Sequence, residues 1–290
     1  YVKNTPDFAG YVNINKLIKD IELPREWQKD LKKYCDEVGI EFMSTPFDEQ
    51  AVQELLDIGV ERFKISGFES TDLRFVEMVA SSKLPLIISM GIGSRSLDFF
   101  SLYRVTQKYG NEITLLHCNN AYPTPIEDIR LGMLHEIMDK VKKYPRINNV
   151  GLSDHTMSIR TPSLAVAMGA SVIEKHFTLD RNLDGPDHPF ALEPQELKEM
   201  ISLIRETEVM VKNDDSLYTE SEKNFIYARR SVVTKAPIKT GDVLTRKNIT
   251  TKRPFVEGAV PASDFNQLLG QKMYQDLNED EIIKYSMVRG

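Results

Sequence analysis

Two cysteines in 290 residues, Cys35 and Cys118, are too few for a disulfide framework, so a reducing cytoplasm is the setting the chain fits. Positive charge is not in excess: 37 Lys and Arg face 43 Asp and Glu, a net −6. That balance excludes the broad basic surface that nucleic acids or anionic membranes want, and an anionic ligand has to be held by local positive groups. No run approaches the roughly 18 apolar residues of a membrane span, and the opening YVKNTPDFAG has neither the basic start nor the apolar core of a signal peptide. Neither a phosphate-cradling P-loop nor a GxGxxG turn is present; Met90-Gly91-Ile92-Gly93-Ser94 is only a short glycine turn.

What is there is a globular composition, 41% apolar, and a repeated alternation. Between residues 37 and 210 an apolar β-type run gives way six times to a helical pattern, the signature of βα units and a parallel sheet. The expected strands are Ile40 to Ser44, Arg62 to Ser66, Leu86 to Met90, Ile113 to Cys118, Asn149 to Leu152 and Ser171 to Phe177. Helical segments include EQAVQELLDIG, TDLRFVEMVASS, SLDFFSLYRVTQKYG, TPIEDIRLGMLHEIMDKVKKY and TPSLAVAMG, with a closing helix over Glu193 to Val211 and an early one over Arg25 to Val38. A (β/α)8 barrel closes at eight units, so this reading expects a TIM-type barrel without its first two βα units, over residues 1–212. The alternative is an open doubly wound sheet. Residues 213–226 are polar and read as a linker. From 227 to 290, short β runs with turn signals at Pro237, Lys239 to Gly241 and Pro254 indicate a small β-rich domain that leans on a larger surface.

In parallel α/β folds the reactive groups sit at the carboxyl ends of strands. Those ends carry Thr45 and Phe47, Lys64 and Ser66, Asn120 and Tyr122, Ser153, His155 and His176. His155 and His176 are one βα unit apart, so they project from neighbouring strand ends; they are either half of a divalent-metal site or two hydrogen-bonded core histidines. Two ligands leave positions for water or substrate oxygens, as a Lewis acid requires. Asp154 either orients an imidazole or caps the next helix. Lys64, with Thr45, Ser153 and Asn120, supplies donors for phosphate or carboxylate, unless it merely snorkels. His117 and Cys118 read as core, His135 as a helix residue. The Asp184-Gly185-Pro186 turn returns Asp187 and His188 toward the mouth, where Asp187 either stabilises the turn or meets a substrate hydroxyl.

The segments EFMSTPFD (41–48), LLHCNNAYPTP (115–125), GLSDHT (151–156), IEKHFTLDRNLDGPDHPFALEP (173–194) and TTKRP (250–254) resemble the bacterial sialic acid synthase family. That family includes N-acetylneuraminate, legionaminate and pseudaminate synthases and spore-coat polysaccharide proteins, and the tail from Tyr227 resembles its antifreeze-like SAF domain. The resemblance implies a barrel enzyme that condenses phosphoenolpyruvate with an open-chain N-acetylated hexosamine, releasing phosphate, with a divalent ion, Mn2+ first and Mg2+ or Co2+ next. It implies that His155 and His176 hold the metal, that Thr45, Lys64, Asn120 and Ser153 grip phosphoenolpyruvate, and that Tyr122 and Asp187 meet the amino sugar. Arg253 matches an arginine that reaches the neighbouring subunit's barrel in a domain-swapped homodimer. One departure is Gly67, where a KIxS pattern has serine; Ser66 is the available substitute. Two other readings are a pyruvate aldolase using a divalent metal and an inactive or sugar-binding fragment.

Overall fold

The computed structural model describes residues 13–92 and 99–289. The opening YVKNTPDFAG, the Gly93-Ser94 half of the glycine turn and the start of the helix expected from Ser96 lie outside the described residues. The chain divides into two units, Tyr1–Lys212 and Asn213–Gly290.

In the first unit, α1 (Ile14–Ile21), α2 (Trp27–Val38) and α3 (Glu49–Asp57) precede β1 (Phe63–Ile65). Then helices and strands alternate: α4 (Leu73–Ala80), β2 (Leu86–Met90), α5 (Phe99–Gln107), β3 (Ile113–Cys118), α6 (Met133–Val141), β4 (Ile147–Asp154), α7 (Thr161–Ala167), β5 (Val172–Lys175) and α8 (Pro194–Met210). The strands form one parallel sheet in the order β1-β2-β3-β4-β5, the arrangement of consecutive βα crossovers. Local chemistry sets the helix starts. Asp48 accepts the Ala51 N–H at 2.7 Å ahead of α3, Asp72 accepts from Phe75 at 3.1 Å ahead of α4, and Glu196 accepts the Glu193 N–H at 3.0 Å at the start of α8.

The two faces of the sheet differ. Phe63, Ile65, Leu86, Ile88, Met90, Ile113, Leu115, Val150 and Leu152 belong to the core that also takes Leu55, Val76, Val79 and Leu134 from the helices. Alternate residues project to the other side, and there Lys64, Ser89, Cys118, Ser153 and Glu174 line a cavity. The register places Cys118 beside Ser153 and Ser153 beside Glu174.

Two helices were not expected, α1 (Ile14–Ile21) and the four-residue Glu220–Lys223 in the stretch read as a linker, and the expected elements differ from the observed ones chiefly in four places. Residues 40–44 form no strand. The Ile40 N–H closes the end of α2 on Cys35 O at 3.0 Å, and Ile40 is 63% exposed, so this run gains neither a ladder nor cover; Glu41 instead pairs with Arg62 at 2.5 Å. The fourth strand is longer than Asn149 to Leu152 and takes in Ser153 and Asp154. The last strand ends at Lys175, so His176 lies just past it, in a stretch where Phe177 bridges Leu192. The long helical segment before β4 is divided, because Arg130 adopts φ 45 between a short 3-10 turn (Ile126–Asp128) and α6.

The second unit holds α9 (Glu220–Lys223), the antiparallel pair β6 (Ser231–Thr234) and β7 (Ile249–Lys252), α10 (Phe265–Leu268), and the antiparallel pair β8 (Lys272–Met273) and β9 (Val288–Arg289). Its turn at Lys239 to Gly241 is made with Gly241 at φ +93 and the Asp242 N–H bonded to Lys239 O at 2.9 Å. Val232, Ile238, Leu244, Ile249, Val260, Ile283 and Val288 give this unit a core of its own.

Candidate functional site

Residues from the carboxyl ends of all five strands of the sheet line a cavity of about 820 Å3. Of the residues singled out in the sequence, Thr45, Phe47, Lys64, Ser66, Asn120, Tyr122, Ser153, His155, His176 and Asp187 all line it. Arg253 belongs to the second unit, where its Nε donates to Ala228 O at 2.5 Å. His117 is a core residue with Nε2 2.6 Å from Ile129 O, and His135 is exposed on α6.

The floor of the cavity is a set of donors. Lys64 is 5% exposed; its Nζ donates to Ile65 O at 3.1 Å and lies 3.3 Å from Glu174. Glu174 also accepts from Ser153 Oγ at 2.6 Å, so one carboxylate holds both a lysine and a serine. Ser89 is 1% exposed, and among the described residues its Oγ has no hydrogen-bond partner. A buried hydroxyl left this way costs about 1–3 kcal/mol, a cost that a ligand oxygen in the cavity would remove. Asn120 crosses above two glycines, and its Oδ1 accepts the Ile92 N–H at 2.9 Å. A Cβ on Gly91 would stand 1.7 Å from that oxygen and one on Gly67 2.9 Å, so the Gly67 departure makes room for the amide. Ser66 does not take over from a serine there: its hydroxyl is engaged by the Glu69 carboxylate and the Phe68 N–H.

Above the floor lie the imidazoles. His155 and His176 have ring centroids 5.2 Å apart. Each has its Nδ1 engaged, His155 2.6 Å from Asn119 O and His176 3.3 Å from Asp187 Oδ2. In the tautomer that gives a proton to the Asn119 carbonyl, His155 leaves the Nε2 lone pair free, the pattern of a metal-ligating histidine. Burial pushes the His155 pKa below its ordinary value, which keeps the ring neutral. The His176 imidazole beside it holds Asp187 below the usual carboxylate range. Among the described residues no group of three or more His, Cys, Asp or Glu side chains could hold an ion; a divalent ion on His155 and His176 would have two imidazole ligands and would need oxygens from water or substrate to complete it. Tyr122 stacks at 4.2 Å from the His155 ring, and Phe190 lies 5.1 Å from His176. Burial raises Tyr122 to about 12 and Cys118 to about 11. Both therefore stay protonated, and Cys118 is no thiolate nucleophile.

Asp187 reaches the cavity because the Asp184-Gly185-Pro186 turn folds the loop back. Arg181 anchors the loop base, with Nε on Ala191 O at 2.9 Å and Nη2 on Glu196 at 2.6 Å. Lining residues to which the sequence assigned no role include Glu174, Ser89 and Asp20. Glu174 had a signal, since it lies two residues before His176 and a strand side chain recurs on the same face at that interval. Asp20 comes from α1, and no local pattern marks it.

The NeuB family profile matches residues 1–216 and the SAF domain profile residues 229–289. The chain is 36% identical to the N,N'-diacetyllegionaminic acid synthase of Campylobacter jejuni, over 93% of this chain and 79% of the relative. The crystal structure of N-acetylneuraminic acid (sialic acid) synthetase from Leptospira borgpetersenii, in complex with citrate, superposes with a TM-score of 0.65 at 30% identity, over 73% of this chain and 72% of that one. A spore coat polysaccharide biosynthesis protein E from Chromobacterium violaceum shares the fold at a TM-score of 0.80 and 24% identity, over 97% of this chain and 83% of that one. The chain belongs to the NeuB family and carries a SAF domain at its C-terminal end.

Proposed function

We propose that this protein condenses phosphoenolpyruvate with an open-chain N-acetylated hexosamine of the N-acetylmannosamine type, giving a nine-carbon 2-keto sugar acid of the sialic class and phosphate. The observation that carries this reading is one cavity joining a floor of donors, Lys64, Ser89, Ser153 and Asn120, to a pair of imidazoles with engaged Nδ1 atoms. The names of the relatives support the product class.

Lys64 and the Ser89 and Ser153 hydroxyls bind the phosphate and carboxylate oxygens of phosphoenolpyruvate, with Thr45 at the rim and the Asn120 amide across the top. Glu174 stands against Lys64 before substrate arrives and keeps the ammonium aimed into the cavity. Since Glu174 offsets much of that charge, a strongly anionic substrate calls for further positive charge at the site. A divalent ion on His155 and His176, Mn2+ first, supplies that charge and a Lewis acid for the sugar aldehyde. Tyr122 and Phe47 border the sugar. Asp187 holds the His176 ring and accepts a hydrogen bond from a sugar hydroxyl. The enol carbon forms the new bond to the aldehyde carbon, whose oxygen takes up a proton; water adds at the phosphate-bearing carbon, and the phosphate leaves from it. In the active form, a cytoplasmic domain-swapped homodimer serving polysaccharide biosynthesis, Arg253 serves the sugar in the other copy's cavity.

Phosphate release, measured with Mn2+ and a panel of N-acetylated amino sugars, tests the reading. We expect His155→Ala and His176→Ala each to abolish it and Arg253→Ala to raise the sugar KM above all. Wild-type rates in both histidine variants would sink the metal assignment, and turnover of pyruvate without phosphate release would make the protein an aldolase instead.

A further inference from the structure

Asp154 and Lys175 stand directly ahead of His155 and His176 in the chain, and the β4–β5 ladder pairs them with each other. Their side chains are 0% and 4% exposed, with Nζ 2.7 Å from Asp154 Oδ2. As the residues before the histidines, they turn their side chains away from the imidazoles, toward the side where Leu152 and Ile173 pack on the helices; Lys175 also borders the cavity, while its ammonium is turned onto Asp154. The pair does more than neutralise itself. Asp154 Oδ1 accepts the Thr156 N–H at 2.9 Å, and Lys175 Nζ also donates to Thr156 O. Both backbone polar groups of the residue that follows His155 are thus held by side chains. The His155 carbonyl is held in turn by the Thr124 N–H at 2.9 Å, and the His176 carbonyl by the Leu192 N–H at 3.0 Å.

A buried ion pair is a poor device for stability alone, because desolvation consumes the Coulombic gain and an apolar pair of similar volume does as well or better. What an apolar pair cannot do is hold a peptide at both ends. We infer that the Asp154–Lys175 pair is a positioning device: it joins the last rungs of β4 and β5 and fixes the backbone that aims both imidazoles into the cavity. This rests on the two-histidine reading of the site only for its metal arm. Asp154 and Lys175 are positioning residues, their charged groups being engaged by each other and by the Thr156 backbone.

The test is made on the full chain. In the wild type, the Thr156 amide should exchange with solvent as slowly as the interior amides of β4, and 15N-histidine NMR should show His155 protonated at Nδ1. A fast Thr156 amide in the wild type would overturn the inference without any variant. The double variant Asp154→Leu with Lys175→Met removes both charges together, which avoids leaving one ion buried alone. It should fold, exchange Thr156 ten- to a hundredfold faster, lose the single His155 tautomer, and bind Mn2+ ten- to a hundredfold more weakly by calorimetry. The neutral hydrogen-bonding pair Asp154→Asn with Lys175→Gln should recover the tautomer and most of the Mn2+ affinity. A folded apolar variant with wild-type exchange and wild-type tautomer would show the pair to be structural filler. If the wild type itself binds no Mn2+, the metal reading fails, and the exchange and tautomer measurements still decide the positioning role.

Discussion

The two units of this chain both carry exposed ion pairs, but the large one also buries charge. In the large one, Lys64 and His155 are 5% and 4% exposed, and the Asp154 and Lys175 side chains 0% and 4%. In the small one, the ion pairs Lys239–Asp276 and Lys252–Asp280 keep every member's side chain more than half exposed, and its buried hydroxyls, Ser231 and Thr234, are satisfied by Pro254 O and Asn278 O. Surface pairs contribute about 0–1 kcal/mol, whereas burying an ion costs several. The small unit is therefore built for stability, its surface charges being nearly neutral to the fold. The large unit gives up stability at its strand ends to place charge where a ligand can meet it.

The largest effect that would sharpen this contrast is in the small core. Ile283→Ala, at a fully buried position, should cost about 2–5 kcal/mol, seen as early loss of exchange protection confined to residues 213–290. Equal loss across residues 13–212 would show that the units do not unfold separately. Next comes Ser89→Ala in the large unit. Its hydroxyl has no partner to lose, so the change should leave stability unchanged or raise it by up to about 1–3 kcal/mol, while the KM for phosphoenolpyruvate should rise about tenfold or more. A stability loss with unchanged KM would mean that the hydroxyl serves the fold instead.

The same contrast explains what could be read from the sequence. Five of six expected strands formed, because β-branched runs such as LPLIISM and NEITLLHC are buried on both faces and no other element suits them. The sixth failed at Ile40, where apolar composition was present but no ladder was. His155 and His176 stood out as chemistry-bearing residues at strand ends. Ser89 did not, being the one polar residue of an apolar strand, and neither did Glu174, whose meaning depends on Ser153 beside it across the ladder. Lys175 drew no role in the sequence for the same reason: its partner is 21 residues away, at Asp154. Contacts across a parallel sheet are invisible to local spacing.

The smallest expected effect lies on the small unit's surface. The Lys239 ammonium and the Thr240 N–H together bring Asp276 down to about 2. A carboxylate with a depressed folded-state pKa adds stability above its ordinary pKa and loses it as pH falls toward the folded value. The contribution should therefore be whole at pH 6 and fade between about pH 4 and pH 2, and the exposed pair should weaken with added salt. Asp276→Asn makes this visible through exchange at the Thr240 amide, which donates to Asp276 Oδ1 at 2.8 Å. Wild type and variant should differ slightly at pH 6, less in high salt, and converge at the acid end. A difference that keeps its size at pH 2 and in salt would mean that the Asp276 side chain acts there through packing, and the small unit's charges would then be less peripheral to its fold than their exposure implies.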